Sequence, residues 1–560
     1  MRPTRCGFVR SNGPGPLPEH RRAPRCGAAS WSRTPRARSL RPISFITPTS
    51  AFSAGLRESC RSGCGILSHC RLPAGPLRLF VAPRHRRIVI PEQDVPVRAR
   101  RFPLAVWRWH FYAGICVLPF VFILATSGLA MLASEPLDRY LQRELLTVTS
   151  AATPLSAAEQ AAAVAAAYPA ADLATYRVAA SSEESTRIDV IPKHGAAAHS
   201  SHGESENTTV FVDPYTGTVL GELDANRTFY AWAKALHGTL LLGTFGDYLI
   251  EIAAGFGVLL IASGMYLWWP RDGRGLRQAL LPAVATAGPR RWRNVHAAVG
   301  AWVAPFLLFF FISGLAWTPF WGGDLVQTWS SLPGEQFDAP LSDESHASLN
   351  HGAHHEVPWV VEQTPLPASG SQRGATGIVA KGPVTLDDVV SYARAAGFST
   401  FRVHLPRGNE GVWTIAATTI AGDTRDIRGD RIVHLDALTG NVLGEVRFAD
   451  YSPMGKFMAA GIPLHQADTG VVNLAINVLF CLSVLGMGAA AIAAWWSRRP
   501  IGARRLVPPP LRDEHAWRTA VALMLVLSLA FPLVAATIAV VLAVDFLVLS
   551  RVRALKLLFE

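Results

Sequence analysis

The stretch that decides the fold is WHFYAGICVLPFVFILATSGLA at residues 109–130, because the chain repeats its pattern. It aligns without gaps on VHAAVGAWVAPFLLFFFISGLA at residues 295–316. The alignment matches His110 with His296, and both segments end in Ser-Gly-Leu-Ala. Self-similarity of this kind indicates a repeated structural unit.

A second pair of matching segments follows in the same order. The run FVDPYTGTVLGEL at residues 211–223 matches HLDALTGNVLGEV at residues 434–446. Each is followed by a Leu-His pair, at His237 and His465, and then by an apolar span that ends in Trp-Trp and arginine. The chain is therefore predicted to be a duplicated unit of membrane span, soluble module and membrane span.

The composition is that of an integral membrane protein. Half of the 560 residues are hydrophobic and 17% are charged, and the apolar residues form blocks of about 20, the length that crosses a bilayer. We predict a helical bundle with two small α+β modules. The predicted spans are 104–132, 248–270, 296–321 and 471–497, the modules are 133–247 and 322–470, and the loops between spans are 271–295 and 498–515.

Arginines near the span ends predict the orientation. Basic residues collect on the cytoplasmic side of membrane proteins. The arginines beside the spans are Arg98, Arg100, Arg101, Arg108, Arg271, Arg274, Arg277, Arg290, Arg291, Arg293, Arg498, Arg499, Arg504 and Arg505. All of them flank the same side of the predicted spans, so both large modules are expected outside the cytoplasm, in the periplasm.

The two ends of the chain differ from this repeat. Residues 516–550 are apolar but interrupted by Phe531-Pro532, which favours a helical hairpin over one strongly tilted helix. Residues 1–95 belong to an arginine-rich stretch without lysine or periodic apolar pattern, typical of a disordered extension. Such a tail could bind anionic lipid or nucleic acid. The preferred prediction is an extension that an upstream start codon would account for and that is not part of the mature protein, so no nucleic-acid partner is predicted.

Each module is predicted to be a helix packed on its own small antiparallel sheet. Capping boxes open the helices at Ser156 and Thr385, and strand-like runs follow. The Asp213–Gly217 and Asp436–Gly440 runs predict tight turns between two strands. Neither module contains cysteine or a constellation of residues that suggests hydrolysis.

Four histidines recur at equivalent places in the repeat. His110 and His296 begin the first and third spans, and His237 and His465 precede the second and fourth. Ionisable residues at membrane depth are functional candidates, and neutral imidazole is a good axial ligand of haem iron. The repeat predicts the pairs His110–His296 and His237–His465, one haem for each leaflet. The span glycines, which would permit close approach, are Gly114, Gly128, Gly300 and Gly314.

The motifs WHFYAG, SGLA, DPYTGTVLGE, MYLWWPR and NVHAAVGAW resemble those of the PepSY-associated transmembrane helix family, over about residues 100 to 545. The resemblance implies periplasmic PepSY modules, b-type haem bound by the span-end histidines in a bacterial inner membrane, and reduction of ferric siderophores. Some relatives carry a fused flavin reductase domain. This sequence contains no dinucleotide-binding fingerprint, so a quinol or a separate reductase is the expected electron donor.

Two groups of loop histidines form a second candidate site, for a periplasmic transition metal. They are His194, His199 and His202 in the first module and His346, His351, His354 and His355 in the second. Loops of this composition rarely preorganise a site. Because these histidines are present, copper, zinc and nickel are alternatives to siderophore iron as the metal on which the protein acts.

Two other classes of function remain open at this point. One is a haem-free regulator whose PepSY modules bind peptides or a protease. The other is a metal-handling transporter with duplicated spans. A transporter would show polar or charged breaks near the centre of its spans, whereas these spans are almost wholly apolar. The preferred prediction is an electron-transfer protein that reduces a ferric chelate.

Overall fold

Four long apolar helices dominate the fold. The computed structural model describes residues 101–547 except 194–207, 272, 274, 351–354, 381, 501–505, 507–513 and 545. Among them, the helices that are long and apolar enough to cross a membrane are Phe102–Leu141, Gly243–Trp268, Pro289–Leu315 and Val471–Arg498. These helices agree with the four main spans predicted from hydropathy. The arginine-rich residues 1–95 lie outside the described part of the chain.

The helices in chain order are α1 (Arg101–Leu141), α2 (Arg143–Leu146), α3 (Ala157–Ala167), α4 (Phe229–Thr239), α5 (Gly243–Trp268), α6 (Leu276–Leu280), α7 (Pro289–Leu315), α8 (Thr328–Ser330), α9 (Leu386–Ala395), α10 (Pro453–Gln466), α11 (Val471–Arg498), α12 (Glu514–Ser528) and α13 (Pro532–Val544). The strands are β1 (Ala171–Arg177), β2 (Thr186–Pro192), β3 (Thr208–Val212), β4 (Val219–Asp224), β5 (Leu341–Ser345), β6 (Pro365–Pro367), β7 (Arg402–His404), β8 (Val412–Ala417), β9 (Arg431–Asp436) and β10 (Val442–Arg447).

The four spans form a bundle in which α1 and α7 lie diagonally opposite each other. Each of these two helices packs against both α5 and α11. The short helix α4 packs against α1 and α5, and α10 packs against α7. Side chains on α1 and α7 can therefore face each other across the bundle axis.

Two span boundaries differ from the prediction. Helix α1 continues to Leu141, beyond the predicted end at residue 132, so its last turns are polar and reach toward the first module. Helix α7 ends at Leu315, before the predicted end at residue 321. Pro319 lacks a backbone N–H and disfavours the helical conformation in the residue before it. The chain continues as a π-helix, Pro319–Gln327.

The C-terminal apolar region forms two helices, α12 and α13. At one end of the bundle Arg108 lies over the ring of Trp517, 5.8 Å from its centroid. At the other end the indole of Trp321 donates to the carbonyl of Ala530 at 3.2 Å. Helix α12 thus runs along the bundle, and α13 packs back against α5 around Leu259. The predicted hairpin is observed in place of a single tilted helix.

Eight strands from the two modules form one sheet, and β5 and β6 pair in a separate two-stranded sheet. The shared eight-stranded sheet corrects the prediction of a separate small sheet in each module. The strand order is β10-β9-β8-β7-β1-β2-β3-β4. Strands β1 and β7 are antiparallel neighbours, with Tyr176 opposite Val403. Both strands would otherwise be sheet edges with unpaired backbone groups, and their pairing satisfies those groups.

The predicted caps and turns of the modules are confirmed. Ser156 and Thr385 form capping boxes at the starts of α3 and α9. Asp213 and Asp436 accept backbone hydrogen bonds within their turns. The glycines that end these turns, Gly217 and Gly440, both have a φ of 73°, which glycine adopts without steric cost. Helices α3 and α9 cover one face of the sheet through a shared apolar core.

A segment between α7 and α9 covers part of the opposite face. It includes the π-helix, α8, β5 and β6. Its buried side chains, among them Phe337 and Trp359, pack with Ile432 of the sheet and Met458 of α10. The segment therefore joins the sheet to the bundle on the side of the second module.

Candidate functional site

The four repeated histidines form two facing pairs. His110 of α1 and His296 of α7 have ring centroids 6.4 Å apart. His237 of α4 and His465 of α10 have ring centroids 6.3 Å apart. The structure therefore brings together the same pairs that the repeat predicts.

The two pairs lie at different levels of the bundle. His237 contacts Ser127 of α1, and Ser127 is seventeen residues beyond His110 on the same helix. A rise of 1.5 Å per residue places these levels about 25 Å apart. The second repeat has the same geometry, because His465 contacts Ser313, seventeen residues beyond His296 on α7. The separation is close to the thickness of the hydrocarbon core, about 30 Å.

Each of the four imidazoles uses its Nδ1 atom in a hydrogen bond to a neighbouring helix. The bonds are His110 to Ser263 Oγ at 2.9 Å, His237 to Ser127 Oγ at 3.0 Å, His296 to the Met487 carbonyl at 3.1 Å and His465 to Ser313 Oγ at 2.8 Å. Nε2 of each ring makes no hydrogen bond with any residue that the structure describes. The Nε2 atom of each ring could therefore bind a ligand.

The serine partners favour the tautomer that carries its proton on Nδ1. Each serine hydroxyl also donates to the carbonyl four residues earlier in its helix: Ser127 to Ile123 at 2.7 Å, Ser263 to Leu259 at 2.9 Å and Ser313 to Phe309 at 2.8 Å. A hydroxyl has one proton, so its oxygen accepts from the imidazole Nδ1–H. A carbonyl can only accept, and His296 must donate as well. All four neutral rings therefore present an Nε2 lone pair.

Small residues allow the rings to approach the helices closely. A Cβ on Gly128 would lie 3.6 Å from Cε1 of His237, and one on Gly314 would lie 3.5 Å from Cε1 of His465. For His110 the close neighbour is Gly264 of α5, at 3.1 Å. Gly264 is not among the glycines predicted from the repeat. Of those four, Gly114 and Gly300 do not lie against a histidine ring.

The sequence also missed the roles of the serines. Ser127 and Ser313 belong to the repeated Ser-Gly-Leu-Ala run, and this repetition was the available signal. Ser263 has no equivalent, since the matching position before the second Trp-Trp is Ala490. The carbonyl of Met487 therefore serves His296 in its place. Every residue has a backbone carbonyl, so the sequence does not show which carbonyl accepts this hydrogen bond.

The loop histidines do not form a second centre within the described residues. His194, His199, His202, His351 and His354 lie outside them. His355 lies beside Glu362, with Nδ1 3.2 Å from its carboxylate, and beside Trp317. No group of three or more His, Cys, Asp or Glu side chains placed to hold a metal occurs among the residues described. The transition-metal site stays a prediction.

His346 is buried, although the sequence groups it with the loop histidines. Its Nε2 lies 3.0 Å from Nε2 of His434, and its Nδ1 lies 2.7 Å from the Thr364 carbonyl. Burial lowers the pKa of His346 to about 4 and the pKa of His434 well below its usual value. Both rings stay neutral at neutral pH, so this pair contributes to the interior of the module.

The bundle, the paired histidines and the shared sheet define a multi-pass membrane protein with a two-part soluble module. A family model described as the PepSY-associated TM region matches residues 107–498. The match covers most of the chain, which therefore belongs to the PepSY-associated TM family. A comparison with curated proteins found no similar one.

Proposed function

We propose that the protein is a haem-containing electron-transfer protein of the bacterial inner membrane. In this proposal it passes electrons outward to a ferric siderophore or another metal chelate. The observation that carries the proposal is the pair of facing imidazoles at each of two levels, each ring with its Nδ1 engaged.

The spacing of the rings fits a shared metal ion. Two imidazoles that both bound one metal ion through a nitrogen about 2.0–2.1 Å away, with each ring centroid about 1.1 Å further back, would have centroids about 6.3 Å apart. The separations here are 6.4 Å and 6.3 Å. Ligating histidines also donate their other N–H to a fixed acceptor. Both features support two bis-histidine haem sites, and a bound haem would supply a one-electron carrier at each level.

The side chains around the pairs would hold and orient the ligands. The serine hydroxyls and the Met487 carbonyl keep each ring in the tautomer that offers Nε2. The apolar faces of α1, α7 and α11 meet around Ala125, Val303 and Val484 between the two levels. These residues exclude water from the interval that an electron would cross.

The proposal includes the orientation of the protein in the membrane and the source of its electrons. The arginines that flank the spans support an orientation with the sheet outside the cytoplasm, in which the His237–His465 pair would be the outer one. A quinol or a separate reductase would supply electrons, because the sequence has no dinucleotide-binding fingerprint. Release of iron after reduction would need no hydrolytic residue.

Stopped-flow mixing tests this function. The purified protein, reduced with dithionite and freed of excess reductant under anaerobic conditions, is mixed with ferric siderophores. We expect haem reoxidation together with the appearance of ferrous iron on a chromogenic chelator. Haem that stays reduced with every ferric chelate, while peptides or a protease bind tightly, would favour the regulatory alternative. Much faster reoxidation by copper(II) would make copper the preferred substrate.

We expect Ser127→Ala and Ser313→Ala to weaken haem binding at the outer pair alone. Each removes the acceptor that fixes one ring, and loss of such a partner lowers metal affinity by about tenfold to a hundredfold. Haem loss to apomyoglobin, followed spectrally, measures the effect. Ser→Thr restores the hydroxyl and should recover retention. The control is Ser483→Ala on α11, whose hydroxyl also donates to a carbonyl four residues earlier, at 2.7 Å. Equal haem loss in all three alanine variants would contradict a role for Ser127 and Ser313.

A further inference from the structure

Three arginines lie side by side across the centre of the sheet. In the strand register, Arg402 of β7 is opposite Arg177 of β1, and Arg177 is opposite Arg187 of β2. Their neighbours in sequence, including Ile188 and Val403, belong to the core beneath α3 and α9. Side chains alternate along a strand, so the three arginines share the face away from these helices. Like charges in directly opposed positions destabilise a sheet.

Two of the three arginines have carboxylate partners. Arg402 is fully buried and bonds Asp423 through Nη2 at 2.9 Å and Nε at 3.1 Å. Glu356 pairs with Arg402 and also accepts from Arg177 Nη2 at 2.8 Å. The Nε atom of Arg177 is buried and has no hydrogen-bond partner among the described residues. The pairing of Arg177 is thus incomplete.

Arg187 has no carboxylate partner of this kind in the part of the chain that the structure describes. It makes no hydrogen bond or ion pair with any described residue, and its guanidinium lies over Phe211 at 5.9 Å from the ring centroid. Burial first, and the charge of Arg177 second, lower its pKa to about 10, and Arg139 acts in the same direction. The carboxylates of Glu184 and Asp189 oppose this shift without outweighing it. Asp189 is itself bonded by Thr209 at 2.6 Å.

The arginine row lies on the side of the sheet that meets the bundle. On the same face, Ile432 packs with Met458 of α10, the helix that carries His465. Arg139, whose charge acts on Arg187, lies near the end of α1 and twelve residues beyond Ser127. At 1.5 Å per residue, Arg139 is about 18 Å along α1 from the level of the outer histidine pair.

We propose that Arg187 binds an anionic metal chelate whose carboxylates lie at its surface. A partly desolvated guanidinium without a partner gains strongly from a carboxylate, because it binds two oxygens in a planar fork. The ring of Phe211 offers an apolar surface beside it. Binding itself is independent of the proposed electron transfer. The further statement that this chelate is the electron acceptor rests on the proposed function.

Binding of gallium(III) citrate to the purified full-length protein tests the proposal. Gallium(III) has no accessible lower oxidation state and cannot be reduced by the protein. The binding measurement therefore does not depend on haem. We expect wild-type protein to bind the complex, Arg187→Gln to bind it about tenfold to a hundredfold more weakly, and Arg187→Lys to recover only part of the loss. Arg227→Gln, which removes the same charge from an exposed position of the same module, should bind like wild type.

The melting temperatures of the ligand-free variants show whether Arg187 has a role in binding or in folding. If Arg187 serves a ligand, Arg187→Gln relieves repulsion from Arg177 and melts no lower than wild type. If the residue is structural, the variant melts lower and binding changes no more than in Arg227→Gln. That result, or the absence of gallium citrate binding by wild-type protein, overturns the proposal. A protein that binds the complex but contains no haem would overturn the proposed function and leave the anion site in place.

Discussion

Alanine at His237 or His465 is expected to remove one haem, and alanine at His110 or His296 the other. Each pair would supply both protein ligands of one proposed haem, so loss of either ring would leave that haem held by a single imidazole. The haem content should fall from about two per chain to about one in each variant. The two classes of variant should lack different components of the reduced-minus-oxidised spectrum.

Haem content is measured after extraction, against protein determined by amino-acid analysis. His355→Ala removes an imidazole from the soluble module, where it lies beside Glu362 and Trp317, and should keep the wild-type content. A double variant within one pair, such as His237→Ala with His465→Ala, should lose no more than each single variant. Full haem content in all four single variants would refute the ligand assignment.

The features that could be predicted from the sequence are those that occur in both copies of the repeat. Four histidines, the apolar spans, both capping boxes and both Asp-to-Gly turns recur in two copies, and each has a local physical cause. The pairing of His110 with His296 followed from the symmetry of the repeat. The distance of 6.4 Å between the ring centroids of His110 and His296 could not be predicted from the sequence, because it depends on how α1 and α7 pack across the bundle.

Contacts between distant segments left no local signal. Strands β1 and β7 pair at Tyr176 and Val403, which are more than two hundred residues apart, and their sequences predict strands without naming a partner. The same pairing aligns Arg177 with Arg402 and Arg187. Glu356 lies in an irregular segment, and nothing nearby in the sequence shows that it meets two arginines. Such groups become visible only when the sheet is assembled.

Glu356 is the residue whose loss should destabilise the fold most. Its carboxylate is 3% exposed and pairs with Arg402, whose side chain is 1% exposed, and with Arg177. Burial lowers the pKa of Arg402, but the carboxylates of Asp423 and Glu356 together raise it by more, so this guanidinium stays charged. Removing one partner of a buried ion pair costs about 3–5 kcal/mol, because the remaining charge is left without compensation.

A matched carboxylate on the surface gives the comparison. Glu445 also lies between two arginines, Arg431 and Arg447, but it is 29% exposed. Water screens that pair, so Glu445→Gln should cost about 0–1 kcal/mol, whereas Glu356→Gln should cost about 3–5 kcal/mol. Unfolding of the purified protein in denaturant, followed by tryptophan fluorescence, measures both. Because Glu356 bonds β1 of one module and β7 of the other, its variant should also expose the β1–β7 junction to faster amide exchange. Equal small losses for the two variants would mean that backbone pairing and the shared apolar core hold the modules together without this ion pair.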